Sequence, residues 1–176
     1  MTTEPTAIRL THAELHSDPW ERWLRTRQWH LETFFSQDVP EMPSHIYSLD
    51  GLRRAEQLLL RRLPTIDSIP LGDWVIDRAG IYLGTVLERN FPVRWTNRTP
   101  PKRDRWAIGT YRVTPQLVFE SNQQVIDLNY QVAFALAQRS GTHWQKIYEH
   151  AAANLASHAR RQGNPVPTPP VWRTAS

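Results

Sequence analysis

The sequence predicts an α+β domain built from three N-terminal helices, a small antiparallel sheet of about three to four strands, and two C-terminal helices. Three observations carry that prediction. Apolar residues recur at helical spacing up to about Asn90. After Phe91-Pro92 the spacing shifts toward alternation, with Val93 and Trp95 set between Arg94 and Thr96. Helical spacing then returns after Asp127 and holds to about Arg161. Strands grouped in this way, and not alternated with helices, argue against a βαβ layout. No repeat at solenoid or propeller spacing occurs.

The first helix opens at Asp18-Pro19-Trp20-Glu21, with Asp18 as cap, Pro19 at the first helical position and Glu21 three after the cap. Trp20, Trp23, Leu24, Leu31, Phe34 and Phe35 share its broad apolar face, and Trp29 falls outside it. Pro40 and Pro43 mark a connection. Ser48 caps a second helix to about Arg62, on which Leu52, Leu59 and Leu63 align. A third spans about Gly72 to Asn90, with Val75, Ala79, Leu83 and Val86 in one stripe. Gly80 and Gly84 lie four apart in it, and each costs about 1 kcal/mol against Ala. Such a pair implies close packing on that face.

Expected strands are Val93–Thr96, Trp106–Thr110, Gln116–Glu120 and the short return Val125-Ile126. Asp127 caps the fourth helix, Leu128 to Arg139, which ends at Ser140-Gly141. Thr142 and Gln145 read as a capping box for the last helix, which ends at Gly163. The expected organisation is a flexible tail over 1–10, one domain over 11–162 and a Pro-rich tail over 163–176.

The chain has 176 residues, enough for one domain with a sizeable core. Eight Trp and ten other aromatics compensate for an apolar fraction of 40%, so a folded protein is expected. With no Cys, disulfides, zinc–thiolate sites, iron–sulfur clusters and thiol nucleophiles are excluded. The N-terminus lacks a signal-peptide pattern and no apolar run approaches the roughly 18 residues of a membrane span. A cytoplasmic location and no membrane association are expected.

Charge is lopsided. Residues 1–88 carry nine Arg against thirteen acids, a net −4, while residues 89–176 carry twelve Arg or Lys against four acids, a net +8. Either the acidic half folds against the basic half, or the basic half faces an anionic partner. Arg exceeds Lys by 19 to 2, which suits forked binding of carboxylate or phosphate and equally reflects a GC-rich genome.

Catalytic motifs are absent: no G-x-S-x-G, Walker-type or G-x-G-x-x-G pattern occurs. His12 and His16 are four apart but do not form H-E-x-x-H, and no metal or other cofactor is expected. His143, His150 and His158 read as solvated positions. Asp73 and Asp77 could form an acid–base pair. Asp73 is better read as a charge favoured at a helix N-terminus, and Asp77 with Arg78 is expected at the surface.

The densest candidate surface is Arg89–Val113, with seven basic residues against Asp104 and with Trp95, Trp106 and Tyr111 interleaved. Three readings compete: the solvated face of a sheet whose Trp residues fill the core, a surface for an acidic protein, or a nucleic-acid site in which Arg neutralises phosphate and rings stack on bases. Exposed aromatics such as Trp29 and Trp172 could also mark a protein contact.

The stretch Asp77-x-x-Gly80-x-Tyr82-Leu83-Gly84-x-Val86-Leu87, followed by Phe91 and Val93-Arg94-Trp95, resembles small α+β domains of high-GC bacteria. Val125-Ile126-Asp127-Leu128 leading into an alanine-rich helix is a second similarity. The resemblance covers about residues 70–160 and implies an α+β fold without an established activity. Some proteins of this size and composition are immunity proteins for bacterial toxins. The leading expectation is therefore a non-enzymatic interaction protein that uses Arg94, Arg98, Lys102, Arg103 and Arg105 to bind an acidic protein partner. The rival expectations are a nucleic-acid module on the same strip and a small enzyme with an unfamiliar site.

Overall fold

Asp18 opens helix α1 (Pro19–Thr33) as its position predicts, its carboxylate accepting from the Trp20 N–H at 2.7 Å and the Glu21 N–H at 3.4 Å. Trp23 and Leu31 are buried, and Trp20 and Leu24 pack on the core. The computed structural model describes residues 18–65, 67, 69, 73–98 and 113–167, with Arg98 described by its backbone alone.

The first helix does not run straight through Phe34-Phe35. Residues Phe34–Asp38 form a π-helical turn in which the Val39 N–H donates to the Phe34 carbonyl at 2.9 Å. This wider turn leaves Asp38 buried, and its periodicity departs from the 3.6 spacing that sequence reading follows. Helix α2 (Leu49–Arg62) follows, capped by the Ser48 hydroxyl, which accepts from the Gly51 N–H at 3.1 Å.

Helix α3 (Val75–Asn90) forms the centre. Every residue from Val75 to Leu87 is buried, as a helix wrapped on all sides requires. It packs against α1, against helix α4 (Leu128–Gln138) and against strands β1 (Val93–Arg98) and β2 (Thr114–Phe119). The glycine pair has the packing role its spacing implies. A Cβ on Gly84 would collide with the Trp95 indole and the Leu128 side chain, and one on Gly80 would sit 2.8 Å from Asn129 Oδ1. Asp77 and Arg78, expected at the surface, are buried instead. The polar partners described below are what permit this.

The sheet is antiparallel in the order β1-β2-β3, with β3 spanning Val125–Asp127. Trp95, Leu117 and Ile126 lie opposite one another, while Arg94, Val118 and Val125 form the row on the other face. β2 is buried along its whole length, so an open, solvated sheet face exists at Arg94 but not beside it on Gln116 or Val118. The expected strand Trp106–Thr110 lies outside the described residues.

Helix α5 (His143–Arg161) packs on α2. The expected Thr142–Gln145 capping box does not form, because Thr142 makes no side-chain cap. The carboxylate of Glu56, from α2, accepts instead from the His143 N–H at 3.0 Å and the Trp144 N–H at 2.8 Å. Gln145 turns to Arg53 and Glu149. The α+β architecture of three helices, an antiparallel sheet and two helices matches the prediction.

Candidate functional site

The basic segment is anchored by Trp95. Its indole lies against Gly84 and 5.3 Å from the Trp23 ring, and the Arg27 guanidinium sits 4.8 Å above it. Alternation along β1 then turns Arg94 outward, where it is exposed and makes no ion pair with any described residue. The Arg98 backbone ends β1 opposite Thr114. Lys102, Arg103 and Arg105 lie outside the described residues, as do His12, His16, Trp106, Tyr111 and Trp172. Arg89 stacks 3.8 Å above the Tyr47 ring.

Six carboxylates of the N-terminal half pair with arginines of that same half. Glu21 meets Arg25, Glu88 meets Arg27, Asp50 meets Arg53, and Glu41 meets Arg54 and Arg61. Asp38 meets Arg62 and Arg78, and Asp73 meets Arg78. Among the described residues, no ion pair joins an acid of residues 1–88 to a base of residues 89–176.

The arginine at the heart of this network is Arg78. It forks onto Asp38, with Nε to Oδ2 at 2.5 Å and Nη2 to Oδ1 at 3.0 Å, and its Nη2 also reaches Asp73 at 3.0 Å. Such bidentate pairing is what makes a buried guanidinium tolerable. Asp73 also accepts from the Val75 N–H at 3.0 Å, the helix-start role expected for it. Asp77 faces away toward Asn129, whose amide donates to it at 2.7 Å. The two carboxylates that could have formed an acid–base pair are thus directed to different partners. Burial holds the Asp77 carboxyl up at about 7, against the lesser opposing pull of Asn129 and Arg78. Burial, aided by the Arg78 charge, holds His30 down at about 4, with its ring stacked 5.2 Å from Trp74 and edge-on to Trp29 at 4.8 Å. Trp29 is accordingly half-buried and not an exposed anchor.

A groove of about 370 Å³ opens between the β2–β3 hairpin and α5. Phe119, Ile126, Ile147 and Ala151 give it an apolar floor, and no carboxylate of the described residues lines it. Two side-chain clasps close its ends. His143 Nε2 and Gln131 Oε1 meet at 2.8 Å, joining α5 to α4, and the Asn154 amide donates to Gln124 Oε1 at 3.2 Å, joining α5 to the hairpin. Lys146 and His150 lie between the clasps, one turn apart on α5. His143 was expected to be solvated but is half-buried, and burial followed by the Lys146 charge lowers its pKa, favouring the neutral ring. His150 is exposed. Sequence reading missed this site: the helical spacing of His143, Lys146, His150 and Asn154 was the signal available for it, and the hairpin wall facing them gave none.

Among the described residues, no three His, Asp or Glu side chains gather in a metal-binding cluster, and no helix is long and apolar enough to cross a membrane. No family model, curated protein or solved structure matches the chain.

Proposed function

We propose that the chain is a non-enzymatic interaction domain that binds an acidic protein through the basic surface beginning at Arg94, in an immunity or accessory role. The observation that supports this reading is that the ion pairs of the N-terminal half among the described residues are made with its own arginines, while Arg94 stands outward with no ion pair to a described residue. A positive surface of this kind steers an acidic partner and accelerates encounter more than it adds affinity. A protein partner is favoured over nucleic acid because the Trp95 ring packs on Gly84 and Trp23 and so does not stand free to stack on bases.

The test changes Arg94, Arg98, Lys102, Arg103 and Arg105 together to Ala. An acidic protein captured by the parent chain should be lost by this variant, with association slowing as salt rises. Undiminished capture, or displacement of the partner by duplex DNA, would overturn the reading.

A further inference from the structure

We propose that the groove between the β2–β3 hairpin and α5 is a binding site for a small organic anion, a carboxylate or phosphate carried on a flat apolar body. Arg94 does not line this groove, which rests on independent observations. Its volume of about 370 Å³ falls within the range of small-ligand sites. Its floor is apolar, which suits the body of such a molecule. Its one charged group is the Lys146 ammonium, with the His150 imidazole one turn away, and no described carboxylate lines it. Lys146 makes no ion pair with any described residue. Glu56, the carboxylate that feels the Lys146 charge, is taken up by the His143 and Trp144 N–H groups at 3.0 and 2.8 Å, while Glu149 accepts from Gln145 at 2.6 Å and Asp127 from the Tyr130 N–H at 3.0 Å.

The groove is also held open by its own construction. The clasps His143–Gln131 and Asn154–Gln124 brace the walls at either end, leaving the middle, where Lys146 and His150 lie, for a ligand. Outside the His143–Gln131 clasp, Phe134 lies 4.8 Å from the His143 ring and supports that end of the groove from α4. In this arrangement Lys146 and His150 hold the anion, the Asn154 and Gln131 amides orient it, and the apolar floor of Phe119, Ile126, Ile147 and Ala151 takes its body.

The test titrates the full chain with phenylacetate, benzyl phosphate and the neutral benzyl alcohol, following the ring protons of His143 and His150 by NMR. At least one anion should shift both histidines saturably, with a Kd in the millimolar range usual for ligands of about ten non-hydrogen atoms. The alcohol should bind about tenfold more weakly, and Lys146→Gln should weaken the anion by about tenfold while leaving the unfolding midpoint unchanged. Preference between the two anions identifies the headgroup. Absence of saturable shifts with either anion, equal binding of the alcohol, or full retention of affinity in Lys146→Gln would overturn the proposal.

Discussion

Asp38 shows what one residue decides in this molecule. Its carboxylate is buried and takes up both Arg62 and the fork of Arg78. Removing it strands a buried guanidinium, so Asp38→Ala should lower stability by about 3–5 kcal/mol, read as a shift of the urea midpoint. Asp38→Asn should fall between the two, since its amide oxygen can still accept. Gly84 is the second such position. Ala there would gain about 1 kcal/mol of helix propensity. It would also drive a methyl group into the Trp95 indole and Leu128, an overpacking cost of about 1–3 kcal/mol. Gly84→Ala should therefore destabilise the parent and do so less in a Trp95→Phe background, where the smaller ring yields space; thermal melts of the four proteins give the coupling. Gly84 announced itself in sequence by its spacing from Gly80. Gly51 did not, although a Cβ there would lie 2.8 Å from the His45 carbonyl oxygen, because the backbone crossing it is fixed by a Pro-containing connection with no periodicity to read.

At the scale of elements, the boundaries that local chemistry sets were legible and those set at a distance were not. Asp18, Ser48 and Asp127 each cap the helix that follows, with donors two or three residues away. The ends of α2 and α5 are instead finished by other helices. Glu56 receives the first N–H groups of α5, and Arg139, itself left-handed at φ 52°, donates to the Leu60 and Leu63 carbonyls at the end of α2 at 2.6 and 2.8 Å. Those partners are 76 to 88 residues apart in sequence, so Thr142 and Gln145 looked like the better cap. Likewise Arg94 was identifiable from alternation along one strand, whereas the groove depends on a hairpin, α4 and α5 meeting, which no single segment encodes. Glu56→Ala should expose the consequence. It leaves the buried Trp144 N–H without its acceptor, costing about 1–3 kcal/mol, and amide exchange at His143 and Trp144 should quicken before that of α3. Glu56→Gln, which keeps one acceptor oxygen, should lose less.

For the whole molecule, the helix-wrapped centre holds two groups that burial keeps neutral, and their effects on stability oppose each other. Asp77 titrates at about 7 when folded against an ordinary 3.8, so between those values the folded protein holds a proton that the unfolded chain lacks, and stability falls as pH rises. His30 titrates at about 4 against an ordinary 6.5, so over that window the unfolded chain holds the extra proton, and stability rises with pH. The slopes are opposite, each about 1.4 kcal/mol per pH unit. They offset one another from about pH 4 to 6.5 and leave a net loss between about 6.5 and 7. Separating the two groups tests this. Relative to the parent, Asp77→Asn should gain stability as pH rises from about 4 to 7, by up to roughly 4 kcal/mol, because the neutral amide removes the opposing proton. His30→Phe, which keeps a ring against Trp74, should show the reverse and lose stability across about pH 4 to 6.5. Glu56, whose carboxyl burial also raises, contributes a decline common to all three proteins and drops out of the differences. Urea denaturation at several pH values reads both slopes, and parallel profiles for the parent and either variant would mean that these groups are not buried neutral in the folded state.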